Sequence, residues 1–188
     1  MSGYRPHVLG IDDAPFEKGQ SQPAPIIGVM MEGVDLVESV AKTEFSVDGE
    51  GATEFLFDWV TGLRSYASLQ GIVVGGITIA GLGVVDIEEL ARRADRPILV
   101  VTRRRPTNAL LVRALRAAGY EERIAAVERS PCASRISDGL YVAHAGTDRA
   151  SAARMVRAIV GKAQMPEPLR IAHLVGRAIV IGESRGRV

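Results

Sequence analysis

Apolar and polar positions follow two different periods along this chain. Short apolar runs bounded by turn-forming residues predict β-strands at residues 7–13, 26–31, 35–47, 71–76, 97–102 and 139–144. Apolar residues three and four positions apart predict helices at 52–68, from Asp86 onward, at 106–119 with a continuation over 121–128, from Asp148 to about Lys162, and at 169–181. The first three strands follow one another without a helix between them, and strands alternate with helices after that.

This order of elements predicts an α/β protein. Strands joined directly favour antiparallel pairing, whereas strands separated by helices favour parallel βαβ units. We therefore expect a mixed sheet, with three antiparallel-type strands and then βαβ units, flanked by helices. No internal repeat or linker interrupts the pattern, which predicts a single domain over residues 1–188.

The composition agrees with a folded domain. Hydrophobic residues make up 47% of the chain, which is enough for a sizeable core. One cysteine, Cys132, excludes a disulfide framework and favours a reducing, cytoplasmic location. The longest uncharged apolar run, residues 71–85, is short for a membrane span and contains five glycines. We interpret it as a buried strand followed by a loop, and expect no membrane partner.

The net charge of +1 hides an uneven distribution. Residues 1–100 carry 7 basic and 15 acidic side chains, whereas residues 101–188 carry 16 basic and 7 acidic ones. Arginine accounts for 20 of the 23 basic residues, and its planar guanidinium suits phosphate. Genomic base composition would also explain the excess of arginine. An acidic region beside a basic one is compatible with both cation binding and nucleic-acid binding.

Two carboxylates close the first predicted strand. Asp12 and Asp13 follow Gly10-Ile11, and neighbouring residues on a strand point to opposite faces of the sheet. A carboxylate that ends a central strand needs a cation, an arginine or water as its partner. A simple cap of the following turn is the alternative.

Asp48 and His173 are also candidate functional residues, and each has an ordinary structural explanation as well. Asp48 lies in the turn 47–50 before the first helix, where the helix dipole alone would favour an acidic residue. His173 lies on one side of the last helix with Arg170 and Arg177. A single histidine on an apolar helix often has only a structural role.

Arg103, Arg104 and Arg105 follow directly after a buried strand. Ligands of open α/β sheets gather beyond the carboxyl ends of the strands, so these arginines could bind phosphate there; a solvated surface cluster is the alternative. The glycines of residues 71–83 match neither of the two common nucleotide-binding loops. The chain also lacks the G-x-S-x-G turn of serine hydrolases and any Cys/His spacing typical of zinc.

Five segments together resemble a known family. VLGIDDAPF at residues 8–16, VDGEGAT at 47–53, GITIAGLGVVD at 76–86, LRIAH at 169–173 and GESRGR at 182–187 resemble the endonuclease dU family over nearly the whole chain. That family is similar to endonuclease V, so the resemblance implies a ribonuclease H-like fold. It also implies an endonuclease that uses Mg²⁺ or Mn²⁺ to cut DNA beside a deaminated base.

The resemblance implies roles for individual residues. Asp12 corresponds to the first metal ligand and Asp48 to the acidic ligand before the first helix, while His173 falls near the metal site. Arg103 corresponds to a phosphate contact, with Arg104 and Arg105 beside it.

The chain also departs from the family's pattern. Gly75 stands where relatives carry an aspartate, so Asp13 or Asp86 would have to substitute; we favour Asp13, because Asp86 is predicted to cap a helix. Endonuclease V has a Pro-Tyr-Ile-Pro wedge that helps to expose the damaged base. That motif is absent from this chain, in which the comparable stretch is TEFS at residues 43–46.

These observations leave three hypotheses. The first is a metal-dependent endonuclease on DNA with deaminated or damaged bases. The second is a ribonuclease H-like module that binds nucleic acid without cutting it, because Gly75 removes a carboxylate. The third is a protein-interaction scaffold in which the uneven charge joins like subunits. The sequence does not specify an oligomeric state.

Overall fold

The computed structural model describes residues 3–17 and 22–185. The strands are β1 His7–Asp13, β2 Ala24–Glu32, β3 Leu36–Phe45, β4 Gly71–Val74, β5 Thr78–Ile79, β6 Gly83–Val84, β7 Ile98–Thr102, β8 Ser134–Ser137 and β9 Leu140–Ala145. The helices are α1 Ala52–Thr61, α2 Ile87–Ala94, α3 Asn108–Ala118, α4 Ile124–Arg129, α5 Arg149–Ile159 and α6 Glu167–Ile181, with 3₁₀ turns at Tyr66–Ser68 and Glu121–Arg123. The predicted loop at 14–25 and the closing segment at 182–187 lie partly outside the described residues.

A seven-stranded sheet with the order β3-β2-β1-β4-β7-β9-β8 forms the centre of the molecule. Strands β1, β2 and β3 pair antiparallel, whereas β1, β4 and β7 run parallel to one another. The predicted class, an α/β mixed sheet with an antiparallel first part and parallel βαβ units after it, is confirmed.

The far side of the sheet differs from the predicted series of βαβ units. Strand β9 runs antiparallel to β7, and β8 pairs with it in a hairpin. The hairpin turns at Asp138-Gly139, where Gly139 has a φ of 68°. Asp-Gly between two strands is a strong hairpin signal, because glycine adopts the positive φ that such a tight turn requires. The sequence therefore carried the signal for β8, although the strand was not predicted.

Side chains alternate between the two faces of the sheet. Leu9 and Ile11 face a core that includes Leu56 of α1 and Leu90 of α2. Val8 faces the opposite layer, which contains α5 and the start of α6. The central strands are therefore buried on both faces, as their continuous apolar sequences indicate.

Gly10 determines how closely α6 approaches β1. A Cβ atom at Gly10 would overlap the backbone of Pro168, so only glycine allows the first turn of α6 to cross the strand at this point. The helix then follows β1 toward its carboxyl end, where Gly176 lies against Ala14. This path brings His173 over Asp12.

Helix boundaries differ from the predicted ones by a few residues. The first helix ends at Thr61 instead of residue 68, because Gly62 caps it and the chain continues into a separate 3₁₀ turn. Helix α3 begins at Asn108, two residues after the predicted start, and α6 begins at Glu167, two residues before it. Among the described residues, no helix is long and apolar enough to cross a membrane.

Candidate nuclease site

The carboxyl ends of β1, β4 and β7 meet at one edge of the sheet, because these strands are parallel neighbours. A cleft of about 330 Å³ opens at this edge. Residues from β1, from the end of β4 and from the β5–β6 hairpin form its walls: Ile11, Asp12, Asp13, Phe16, Val74, Gly75, Gly76, Thr78, Ile79 and Gly81. In open α/β sheets, ligands bind at such an edge.

Asp12 is paired with His173. The Oδ2 atom of Asp12 lies 2.8 Å from Nδ1 of His173 on α6, across 161 residues of sequence. The pKa of Asp12 is raised from 3.8 to about 6, chiefly by burial; the hydrogen bond to His173 opposes this increase, and the nearby charge of Asp13 adds a smaller one. The fold thus places a carboxylate and an imidazole together at the rim of the cleft.

Asp13 points to the other face of the sheet, as the alternation along a strand requires. Its Oδ2 atom accepts a hydrogen bond from the backbone N–H of Ala80, at 2.8 Å. Burial raises the pKa of Asp13, while this hydrogen bond opposes the shift. Asp13 therefore fastens the β5–β6 hairpin to the end of β1.

Asp48 has a different environment. Its Oδ1 atom accepts a hydrogen bond from the N–H of Leu82 at 2.7 Å, and its own N–H donates to the carbonyl of Ala80 at 2.8 Å. Its carbonyl accepts a hydrogen bond from Nη1 of Arg123 at 2.9 Å. Asp48 holds the hairpin by backbone contacts and does not line the cleft, so its role as a metal ligand stays a prediction.

Gly75 lies beside Asp12 at the edge of the sheet. Ile11 pairs with Val74 in the parallel ladder, so the next residues along, Asp12 and Gly75, are neighbours. The nearest atom to a Cβ built on Gly75 would be Cδ2 of Leu169 on α6, at 3.8 Å. Position 75 therefore has room for a side chain, and that side chain would point to the face on which Asp12 meets His173.

The carboxylates offer a small donor set for a metal ion. Within residues 3–17 and 22–185, no group of three or more His, Cys, Asp or Glu side chains is arranged to hold a metal. Mg²⁺ commonly binds through one or two protein carboxylates and takes its other oxygen ligands from water and substrate phosphates. Asp12 and Asp13 both line the cleft, but they lie on opposite faces of β1 and Asp13 also binds the hairpin. These two carboxylates offer at most an open site of this kind, and not a preformed site with three protein ligands, so the metal site stays a prediction.

The arginines predicted to bind nucleic acid lie at the same edge of the sheet. Arg103, Arg104 and Arg105 follow β7 and are exposed. Arg103 donates from Nη2 to the carbonyl of Ala163 at 3.3 Å. Asp86, the other substitute ligand considered above, caps α2 by accepting from the N–H groups of Glu88 and Glu89 and forms an ion pair with Arg129.

Two features of this region were not predicted. The β5–β6 hairpin has a three-residue loop, Ala80-Gly81-Leu82, and a short loop with a glycine between apolar residues is a recognisable hairpin signal. Arg123 donates to the carbonyls of both Asp48 and Leu82, each at 2.9 Å. No local pattern marks Arg123, because its partners are 41 and 75 residues away.

Comparison with solved structures defines the class of fold. The chain is similar to endonuclease V from Streptomyces avermitilis, with a TM-score of 0.61 at 16% identity, covering 96% of this chain and 83% of that one. It is also similar to endonuclease V from Ciona intestinalis in complex with DNA containing an inosine, with a TM-score of 0.57 at 11% identity, covering 89% and 82%. The protein thus has the ribonuclease H-like fold of endonuclease V.

Sequence comparison identifies the family. The chain belongs to the endonuclease dU family, whose model matches residues 5–180. It is 36% identical over 183 residues to the UPF0215 protein of Methanothermobacter thermautotrophicus, covering 95% of this chain and 90% of that one. A crystal structure of a protein of unknown function from Archaeoglobus fulgidus is 34% identical with a TM-score of 0.85, covering 94% of this chain and 99% of that one.

Proposed function

We propose that this protein is a metal-dependent endonuclease that cuts a DNA phosphodiester bond beside a deaminated or otherwise damaged base of the deoxyuridine type. The observation that carries the proposal is the Asp12–His173 pair at the rim of a cleft, at the edge of the sheet where α/β proteins bind ligands. Membership in the endonuclease dU family and the endonuclease V fold support it.

In this proposal, Asp12 and Asp13 would hold Mg²⁺ or Mn²⁺, and water and the substrate would supply the remaining oxygen ligands. Such an ion, when bound, stabilises the negative charge that develops on a phosphate during hydrolysis. His173 orients Asp12 through the 2.8 Å hydrogen bond, as the outer partners of metal-binding carboxylates commonly do. Arg103, Arg104 and Arg105 neutralise phosphates that approach the cleft along β7. The cytoplasmic location expected from the single cysteine belongs to the same proposal.

Gly75 gives specific support to a second candidate function. A chain without a carboxylate at position 75 and without a three-ligand cluster in its described residues would bind metal weakly. The alternative is a nucleic-acid-binding module that does not cut. Its signature is salt-sensitive binding that needs no metal.

A nicking assay separates the two candidates. The substrates are labelled duplex and single-stranded oligonucleotides that contain deoxyuridine or deoxyinosine, each with Mg²⁺, with Mn²⁺ and with EDTA. We expect cleavage that requires metal and is lost in Asp12→Asn. Asp58→Asn, which removes one exposed carboxylate on α1, is the matched control and should cut like the wild type. The nuclease proposal fails if the wild-type protein cuts none of these substrates with either metal.

A further inference from the structure

Residues 103–120 form a strongly basic segment of the chain. They contain five arginines (Arg103, Arg104, Arg105, Arg113 and Arg116) and no acidic residue. We call this segment, which comprises the loop after β7 and the whole of α3, the arginine arm. Such a segment produces a positive potential along its whole length, since no carboxylate within it compensates the charge.

The arginines of this arm have no carboxylate partner among the described residues, unlike several arginines elsewhere in the protein. Arg92, Arg129 and Arg170 form ion pairs with carboxylates. Arg113 and Arg116 are exposed on α3, and within the part of the chain that the structure describes neither has an ion pair; the same is true of the Arg104 and Arg105 side chains. Their guanidinium groups are therefore available to an external anion.

The positions of Arg113 and Arg116 suit an extended anionic ligand. Residues three apart on a helix are neighbours, so both arginines share one side of α3. Leu115 is the buried residue of this helix and faces the opposite way, toward Val84 and Val127. With 11 residues, α3 is about 16 Å long, which equals nearly five phosphate steps along one strand of duplex DNA.

The arm is also fixed relative to the cleft. Arg123, which follows α3, donates to the carbonyls of Asp48 and Leu82, and its guanidinium lies 3.9 Å from the centre of the Tyr120 ring. Leu82 belongs to the hairpin that forms one wall of the cleft, and Asp13 holds that hairpin through Ala80. Hydrogen bonds therefore connect the end of α3 to the hairpin that forms one wall of the cleft.

From these observations we infer that the arginine arm is a nucleic-acid-binding surface that follows the phosphate backbone toward the cleft, with Arg113 and Arg116 as contacts beyond Arg103–Arg105. The inference rests on the proposed function for the kind of ligand, but it does not require cleavage. Tyr120 is the arm's aromatic residue and is covered by Arg123, so stacking on bases contributes little and binding is independent of sequence.

Salt-dependent binding tests this inference. Fluorescence anisotropy measures the affinity for a labelled 24-mer, single-stranded and duplex, in EDTA and over a series of salt concentrations. For Arg113→Gln/Arg116→Gln we expect about tenfold weaker binding at physiological salt. The slope of log K against log salt should fall by about 1.8 for duplex DNA and about 1.4 for a single strand, which is the loss expected for two phosphate contacts.

The matched control removes the same charge from the other end of the sheet. Arg92 lies on α2, which leads to the start of β7, and Arg149 begins α5 after β9, which runs antiparallel to β7. We expect Arg92→Gln/Arg149→Gln to bind like the wild type. Melting curves verify that both double variants are folded, since all four positions are on helix surfaces where glutamine is a good helix former.

The remaining outcomes overturn the inference. Equal weakening in the two double variants would mean that net charge alone drives binding, and unchanged binding in Arg113→Gln/Arg116→Gln would mean that DNA lies elsewhere. A labelled polyglutamate peptide is measured in the same assay. If Arg113→Gln/Arg116→Gln loses binding to this peptide but not to DNA, the arm binds an acidic protein instead of nucleic acid. Failure of the nuclease proposal has a separate signature, because DNA binding that depends on the arm would persist without any cleavage.

Discussion

The end of β1 and the turn before α1 both carry acidic residues that the sequence marks as candidate ligands, yet these residues have different partners in the structure. Asp12 has a side-chain partner, His173, and lines the cleft. Asp48 has a backbone partner, the N–H of Leu82, and lies outside the walls of the cleft. The difference shows that the role of each carboxylate depends on the groups that it contacts in the folded protein, and not on its position in the sequence.

The largest expected effect concerns cleavage. Asp12→Asn should lower the nicking rate by at least about 100-fold, because it removes the negative charge that we assign to the metal, whereas Asp48→Asn should change the rate by less than about threefold. Single-turnover nicking assays with Mn²⁺ measure both rates. Equal losses in the two variants would show that Asp48 is a ligand too, and the contrast between Asp12 and Asp48 would disappear.

The second effect concerns the free energy of unfolding. Asp48→Ala should destabilise the protein by about 1–3 kcal/mol, because it leaves the N–H of Leu82 without its acceptor and puts alanine at a φ of 54°. Asp48→Asn keeps an acceptor oxygen and tolerates this φ, so it should lose much less. Urea unfolding measures both, with Glu50→Ala, an exposed neighbour, as the control. If Glu50→Ala is equally destabilising, the hydrogen bond to Leu82 is not the cause.

The third effect is a pH dependence that belongs to Asp12. Its pKa is about 6 in the folded protein and 3.8 in the reference state, so the folded state binds more protons between these values. The free energy of unfolding should therefore fall as the pH rises from about 4 to about 6, by on the order of 2 kcal/mol. Residue 12 cannot ionise in the Asp12→Asn variant, so its free energy of unfolding should not show this fall with pH. Urea unfolding in EDTA at several pH values measures the difference. An identical pH profile in the variant would contradict the assignment.

The smallest effect sharpens the metal site itself. Gly75→Asp should place a second carboxylate beside Asp12, so the variant should melt below the wild type in EDTA because the two charges repel. Mn²⁺ should then raise its melting temperature by about 3 °C more than that of the wild type.

Gly76→Asp is the control for this measurement, because it adds the same charge to the cleft one residue further along the loop after β4. If Mn²⁺ stabilises Gly75→Asp, Gly76→Asp and the wild type equally, position 75 is not at the metal site. If the response is confined to Gly75→Asp, the natural protein is a weak metal binder and the non-cutting alternative gains support.

Much of the sheet edge at which the candidate site lies could be predicted from the sequence. The apolar run before Asp12 and the alternation that separates Asp12 from Asp13 follow from the period of a strand. The parallel strand that brings Gly75 beside Asp12 follows from the ribonuclease H-like fold that the family resemblance implies. The β5–β6 hairpin and β8 were missed although each has a glycine-containing turn, because two- and four-residue strands give too short a pattern to stand out.

Hydrogen bonds between distant segments were beyond the reach of local patterns. His173 was a candidate, but its contact with Asp12 depends on the path of α6 over Gly10, which is decided where Pro168 meets the strand. The same holds for Asp48, whose acceptor role needs Leu82 from a hairpin 34 residues away.

The sequence by itself determined the class of fold, the strand that ends in Asp12 and Asp13 and the concentration of arginine after β7. These are properties of spacing and composition, which act over a few residues. Only the tertiary structure decided that Asp12 would meet His173, that Asp48 would bind the backbone, and that Arg123 would tie α3 to the cleft. Those outcomes depend on which buried polar groups find partners when distant segments pack together, because an unpaired polar group in the interior is costly.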